Sequence, residues 1–138
     1  MRTFTDQRVK AAFDAFPPNA RTIGLTLRDL IFAVAAETPG VGQIEETLKW
    51  GQPSYLTPET KSGSTLRIGV PKNGDAALFA HCATNIISSY ASTFPNTDLI
   101  EVNLAVVFTT ADDIVPMRLR LLIHHALTYH LKRPQDQG

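Results

Sequence analysis

Apolar residues recur at intervals of three and four positions in four segments of the chain. This spacing places them along one face of an α-helix, and capping residues and prolines mark where each helix would start and stop. The pattern predicts helices from the N-cap Thr5 to the residue before Pro17, over 19–37, from the N-cap Thr84 to the residue before Pro95, and from Asp112 or Asp113 to about Lys132.

Alternating apolar and polar residues predict strands at 64–70, 76–82 and 99–108, the last being the longest. Asn73-Gly74 is a strong signal for a hairpin between the first two strands. A two-residue turn there pairs Ile68 with Phe79, which puts Phe79 on the face opposite to Arg67. A longer turn, which Pro71 allows, would shift these pairs.

These elements fit an α+β domain in which an antiparallel sheet packs against helices. A chain of 138 residues buries enough surface for one independent core, so we predict a single domain over 1–138 with a flexible tail at 134–138. The other face of the sheet is expected to be partly open. An open, concave face would be the default place for a pocket.

The segment 49–55 contains the only tryptophan of the chain, beside a glycine and a proline. Glycine allows strained backbone angles and proline removes an amide donor, so the segment predicts a bent sheet edge that carries two aromatic rings. We predict a ligand-binding pocket there, with rings for apolar contact and an arginine for charge. Its residues are Trp50, Gln52, Ser54, Tyr55 and Arg67. The alternative is that Trp50 and Tyr55 close the edge of the core.

Charge and composition exclude several classes of partner. Formal net charge is zero, with 13 basic and 13 acidic residues, so no overall field favours nucleic acid or an anionic membrane. No apolar run approaches the roughly 18 residues of a membrane span. The single cysteine, Cys82, excludes an internal disulfide and fits a reducing compartment. We therefore expect a cytoplasmic protein, with a homodimer as one option.

No catalytic or metal-binding motif stands out. His124, His125 and His130 diverge around a helix at about 100° per residue, so no pair has the i, i+4 spacing of a two-histidine site. His81 and Cys82 would alternate to opposite faces of a strand, which prevents His81 from acting as a base for Cys82. We predict no catalytic residue, metal ligand or cofactor, and a small buried side chain at Cys82.

Basic residues flank the predicted hairpin, at Lys61, Arg67 and Lys72. The segment 62–65 beside them offers hydroxyls and backbone amides that could hold an anion. The strand, loop and helix order of a phosphate-binding loop is absent, so ordinary solvated cations are the alternative interpretation.

Three parts of the chain together resemble the YdhG-like family, a domain of unknown function found in many bacteria. They are Lys49-Trp50-Gly51-Gln52-Pro53-Ser54-Tyr55, Leu66-Arg67-Ile68-Gly69 and Ala126-Leu127-Thr128-Tyr129-His130-Leu131. The resemblance covers Leu27 to Lys132. It implies a small α/β fold similar to frataxin, and at least one member of the family is regarded as an intracellular iron chaperone.

Frataxin-type iron binding uses a cluster of exposed carboxylates, because iron ions favour oxygen ligands. In this chain the acidic residues of the first two helices are interspersed with basic ones. We therefore expect a non-catalytic binding domain for a small polar or anionic ligand. The alternatives are an iron chaperone, as the resemblance implies, and a protein-interaction module that uses the sheet face or edge.

Overall fold

The computed structural model describes residues 2–72, 75–102 and 104–131. The helices are α1 (Gln7–Asp14), α2 (Pro18–Glu37), α3 (Ile86–Thr93) and α4 (Pro116–Leu127), with a short 3-10 helix at Ala111–Asp113. The strands are β1 (Glu45–Lys49), β2 (Gln52–Leu56), β3 (Leu66–Gly69), β4 (Ala76–Phe79), β5 (Leu99–Glu101) and β6 (Ala105–Phe108). They form one antiparallel sheet in the order β1-β2-β3-β4-β6-β5. The predicted α+β class is confirmed.

The helices contribute to one apolar core, which covers the side of the sheet that we call the helix face. Strand residues in this core include Leu66, Ile68, Leu78 and Val106. Because side chains alternate along a strand, their neighbours point to the opposite side, which we call the second face. The second face is formed by Glu45, Thr47, Lys49, Gln52, Ser54, Leu56, Arg67, Gly69, Ala77, Phe79, Leu99, Glu101, Ala105 and Val107.

A buried ion pair joins α2 to β1 on the helix face. The Arg28 guanidinium donates to Glu46 Oε2 at 2.6 Å and to Oε1 at 3.0 Å, and both side chains are almost fully buried. Arg28 also donates to the backbone carbonyls of Arg2 at 2.6 Å and Thr3 at 3.3 Å. Tyr55 Oη donates to Glu46 Oε2 at 2.8 Å. This cluster fixes the N-terminal segment to the sheet.

The first three helices start at other residues than predicted. α2 begins at Pro18, one residue before the predicted start. α1 is capped by Asp6 and not by Thr5, because Asp6 Oδ1 accepts a hydrogen bond from Arg8 N at 2.9 Å. α3 follows Asn85, one residue beyond the predicted cap Thr84. The predicted end of α2 is confirmed at residue 37. No helix in the described ranges is long and apolar enough to cross a membrane.

The last predicted helix is divided into two. Asp113 Oδ2 accepts hydrogen bonds from the backbone amides of Thr109 at 3.0 Å and Thr110 at 3.1 Å, so this side chain caps the 3-10 turn. α4 begins only afterwards, with Pro116 at its first position, and it ends at Leu127. The predicted continuation of the helix beyond 127 is wrong. The predicted flexible tail at 134–138 lies outside the described residues.

The predicted strand over 99–108 is a hairpin of β5 and β6. Val102 has a left-handed φ of 49°, and Leu104 N donates to Glu101 O at 3.0 Å, so the chain reverses between the two strands. Apolar alternation continues on both sides of the reversal, which is why the pattern resembles one long strand. The hairpin makes β5 an edge strand of the sheet.

The register of β3 and β4 is shifted by one residue from the predicted one. Arg67 pairs with Phe79 and Gly69 pairs with Ala77, whereas a two-residue turn would pair Ile68 with Phe79. The connection therefore has a different length, and the Asn73-Gly74 step lies outside the described residues. A shift of one residue moves a side chain to the other face. As a result, Phe79 lies beside Arg67 on the second face.

Candidate functional site

The β1–β2 hairpin turns through Trp50 and Gly51. Both have left-handed φ angles, 52° and 75°, and Lys49 pairs with Gln52 across the two-residue turn. Positive φ at both central positions is the type I′ geometry, which matches the twist of a hairpin. Glycine adopts this conformation freely, whereas a bulky residue is strained there. The predicted bend at the sheet edge is confirmed, and the Trp50 side chain is 85% exposed.

Arg67 is the charged centre of the second face. Its Cζ atom lies 5.1 Å from the centre of the Trp50 ring and 5.7 Å from the centre of the Phe79 ring. Its Nη1 donates to Gln52 Oε1 at 2.9 Å. Cation–π attraction and the hydrogen bond together orient the guanidinium over the sheet. We call Trp50, Gln52, Arg67 and Phe79 the Arg67 cluster.

The Arg67 cluster contains a cation without an anion. Within the part of the chain that the structure describes, Arg67 takes part in no ion pair. Lys49, which is exposed and lies opposite Gln52 on the same face, also has none. A guanidinium carries five N–H donors and prefers to meet a carboxylate or phosphate with two of them at once. The cluster is therefore chemically suited to an oxyanion.

Ser54 lies opposite Arg67 on the second face, but it is fully buried. Its Oγ donates to the backbone carbonyl of Gln52 at 2.9 Å. The hydroxyl therefore supports the backbone next to the hairpin turn. In this position Ser54 holds Gln52 in place below the cluster.

Tyr55 is separated from the other predicted site residues. It lies on the helix face, is fully buried, and packs edge-on against Phe32 with ring centres 5.9 Å apart. Burial raises the pKa of Tyr55 far above its usual value, and the nearby Glu46 carboxylate raises it further. The structure thus brings together Trp50, Gln52 and Arg67, and it places Tyr55 in the core. Alternation along β2 is the physical reason.

Phe79 and Lys49 belong to this surface and were not among the predicted site residues. The predicted two-residue turn places Phe79 on the wrong face, because the observed β3–β4 register differs from the predicted one by one residue. Lys49 stands directly before the tryptophan and alternates with the core residue Leu48, so its place on the second face follows from the strand period. The face of Lys49 can be read from the sequence, whereas the face of Phe79 depends on the length of the β3–β4 connection.

Comparisons with protein-family models, with curated proteins and with solved structures gave no match. The YdhG-like assignment and the frataxin-like description therefore stay predictions.

A cleft of about 430 Å³ lies beside β5 at the opposite edge of the sheet. Asp98 is nearly buried there and accepts hydrogen bonds from Tyr90 Oη at 2.6 Å and from Arg118 Nη2 at 3.2 and 3.3 Å. Burial raises the pKa of Tyr90 to about 12, and the bond to Asp98 acts in the same direction. The hydrogen bond from the Thr109 hydroxyl lowers the pKa of Asp113. Asp98 thus joins Tyr90 and Arg118 in one hydrogen-bond network, while the buried Arg118 Nε has no hydrogen-bond partner among the described residues.

Cys82 and His81 lie in the turn after β4, and both are exposed. The prediction of a buried Cys82 in a strand is wrong because β4 ends at Phe79. His81 Nδ1 accepts a hydrogen bond from the backbone amide of Ala83 at 3.0 Å. The imidazole is thereby engaged in shaping this turn.

The other three histidines lie near the C-terminal end of α4. His124 and His125 are in its last turn, while His130 lies beyond the helix and is exposed. In residues 2–72, 75–102 and 104–131, no group of three or more His, Cys, Asp or Glu side chains is placed to hold a metal ion.

The predicted basic residues do not converge. Lys61 lines a cleft of about 290 Å³ together with Thr65 and His130. The adjacent Ser62 is buried and donates to the Leu127 carbonyl at 2.8 Å, which fixes this loop against the end of α4. Lys72 is exposed beyond the end of β3. Of the three predicted cations, Arg67 alone belongs to the Arg67 cluster.

Proposed function

We propose that this protein is a non-catalytic binding domain that takes a small oxyanion, either a carboxylate or a phosphate ester, at the Arg67 cluster. The observation that carries the proposal is a guanidinium that lies close to the rings of Trp50 and Phe79 and forms no ion pair with a carboxylate of the described residues. An arginine that serves only the fold normally finds an anion or several carbonyls, as Arg28 does. The missing partner is then the ligand.

The cluster divides recognition between charge and apolar contact. Arg67 offers N–H donors for two oxygens of one anionic group. The exposed ring of Trp50 and the half-buried ring of Phe79 offer apolar surface to the body of the ligand. Lys49 adds a second positive charge at the hairpin. An aromatic carboxylate or an aromatic phosphate ester matches both parts.

The proposal is tested by titrating the ¹⁵N-labelled protein with benzoate, phenyl phosphate and inorganic phosphate, followed by NMR. The single tryptophan gives one indole N–H resonance, which reports directly on the cluster. We expect this resonance to shift saturably with benzoate or phenyl phosphate, and we expect Arg67→Gln to abolish the shift because the charge is lost.

The matched control is Arg120→Gln. Arg120 is partly exposed and pairs with Glu37 at 2.5 Å, so this variant removes the same charge from a surface between two helices. Binding should be unchanged in the control. Saturable binding that persists in Arg67→Gln, or the absence of a saturable shift with every probe, would refute the proposal.

The iron-chaperone alternative, which the resemblance implies, is distinguished by adding Fe²⁺ anaerobically to the same sample. Paramagnetic broadening that centres on carboxylates and spares the Trp50 indole would favour that alternative. The proposal also includes a cytoplasmic location, because an exposed single cysteine such as Cys82 persists as a thiol in a reducing compartment.

A further inference from the structure

Gly69 occupies the position of the second face where any side chain would meet Gln52. A Cβ atom built there would overlap Gln52 Nε2, lie 3.0 Å from Gln52 Cδ and lie 3.3 Å from Phe79 Cε2. The φ angle of Gly69 is not among the left-handed ones, so the backbone itself does not require glycine. Glycine inside a strand weakens it. Glycine at this position therefore leaves room on the second face for the Gln52 side chain.

That space is filled by the amide of Gln52. Gln52 Oε1 accepts from Arg67 Nη1, so the amide nitrogen is the end that lies over Gly69. In the described part of the chain, this nitrogen donates no hydrogen bond to another residue. The amide thus presents N–H donors beside the guanidinium of Arg67.

We propose that Gly69 is the specificity-determining position of the Arg67 cluster, and this inference rests on the proposed function. The slot above Gly69 holds the Gln52 amide so that one anionic group meets donors of both Arg67 and Gln52. Such a pair of donors selects an oxyanion with at least two acceptor oxygens on one centre, a carboxylate or a phosphate, over a monatomic anion. Gly69 is a positioning residue and acts through Gln52.

A double-mutant cycle tests this inference, with benzoate and phenyl phosphate as oxyanion probes and chloride as the monatomic competitor. Loss of a hydrogen bond to a charged group is worth roughly a tenfold change in affinity. We expect Gly69→Ala and Gln52→Ala each to weaken oxyanion binding about tenfold. The double variant should be no weaker than Gln52→Ala alone, because both changes remove the same donor.

The side-chain amide resonances of Gln52 give a second readout that a loss of stability alone would not move. They should shift with benzoate in the wild type and should not shift in Gly69→Ala. If Gly69→Ala fails to fold, Gln52→Ala still tests the role of the Gln52 amide donor, because it introduces no steric overlap. A Gln52→Ala variant that still selects oxyanions over chloride would overturn the inference.

The remaining outcomes separate the two proposals. Benzoate binding that is lost in Arg67→Gln but equal in wild type and Gly69→Ala would overturn the role of Gly69 and leave the proposed function standing. Additive losses in the double variant would also overturn it. A wild-type protein that binds neither benzoate nor phenyl phosphate would overturn both proposals.

Discussion

Two arginines of this domain stand against pairs of aromatic rings, one in the core and one on the second face. The Cζ atom of Arg28 lies 3.9 and 5.3 Å from the centres of two phenylalanine rings. The corresponding distances for Arg67 are 5.1 Å to Trp50 and 5.7 Å to Phe79. The aromatic part of the two environments is therefore alike, and the difference between them lies in charge and burial.

Arg28 is fully buried and is neutralised by Glu46, with two backbone carbonyls completing its hydrogen bonds. Arg67 is only half-buried, and its partner Gln52 is neutral. Burying a charge without a counter-charge is costly, so an unpaired arginine survives only where water or a ligand can reach it. Aromatic neighbours are therefore common to both arginines, and the carboxylate of Glu46 is what distinguishes the environment of Arg28 from that of Arg67.

The largest effect is expected when both arginines receive the same substitution. Arg28→Met leaves the buried Glu46 carboxylate without a counter-charge and should lower the free energy of unfolding by about 3 to 5 kcal/mol. Arg67→Met removes only half-exposed contacts and should cost no more than about 1 kcal/mol. Urea unfolding followed by circular dichroism measures both values. Equal losses in the two variants would contradict the comparison.

A double variant sharpens this result. Arg28→Met combined with Glu46→Leu removes both buried charges, so much of the stability lost in Arg28→Met should return. A double variant as unstable as the single one would show that packing around Arg28, and not the unpaired Glu46 carboxylate, sets the cost.

The next largest effect concerns the hydroxyl that completes the buried pair. Tyr55→Phe removes the 2.8 Å hydrogen bond to Glu46 and should cost about 2 kcal/mol, the value typical of a bond to a charged group. Urea unfolding at neutral pH provides the measurement, and Tyr129→Phe is the control because that ring is only half-buried. A loss in Tyr55→Phe no greater than in the control would contradict the prediction.

The buried Tyr55 should also make the free energy of unfolding depend on pH in the alkaline range. Burial raises its pKa above the ordinary value of 10, so its contribution to stability is complete below about pH 10 and is lost as the pH rises towards the folded-state value. As the pH rises to about 11, the folded wild type and Tyr55→Phe should therefore show the same increase in tyrosinate absorbance. Extra tyrosinate in the folded wild type would show that Tyr55 is accessible.

Local patterns were sufficient to predict much of the fold. The apolar stripe of α2 gave its end correctly at residue 37, and the Trp50-Gly51 step indicated the bend that the hairpin contains. The predictions of one final helix and of one strand over 99–108 are wrong. A 3-10 turn capped by Asp113 precedes the helix, and a reversal of a few residues divides the strand into β5 and β6. Asp113 satisfies the amides of Thr109 and Thr110, a local bond that helical spacing does not reveal.

The site was predicted in part, and two different causes explain the rest. Tyr55 is one residue removed from Ser54, so the period of two along β2 already separates them between the faces, and the sequence contained this information. Phe79 is different, because its face depends on the length of the β3–β4 connection. A change of one residue there exchanges the faces, and composition does not determine that length.

A smaller effect on stability, with a large effect on binding, is expected when Arg67 is given the carboxylate that Arg28 has. Gln52→Glu should form an ion pair with Arg67 and change the free energy of unfolding by less than about 1 kcal/mol, because the pair is partly exposed. Benzoate binding should be lost since the site is occupied. Gln7→Glu adds the same charge at the exposed start of α1 and is the control. Undiminished benzoate binding in Gln52→Glu would mean that Arg67 is not the anion-binding group.

A similarly small effect on stability is expected for Trp50→Ala, and it separates the two interpretations of the hairpin. An exposed cation–π contact is worth about 0.5 to 1 kcal/mol, whereas removing a tryptophan that closes a core costs about 3 to 5 kcal/mol. With the Trp50 side chain 85% exposed, we expect the smaller loss together with weaker benzoate binding. Circular dichroism in urea and a benzoate titration measure the two quantities. A large loss of stability would assign Trp50 to the core beside Tyr55, and Arg67 would then have one aromatic neighbour fewer for a ligand to share.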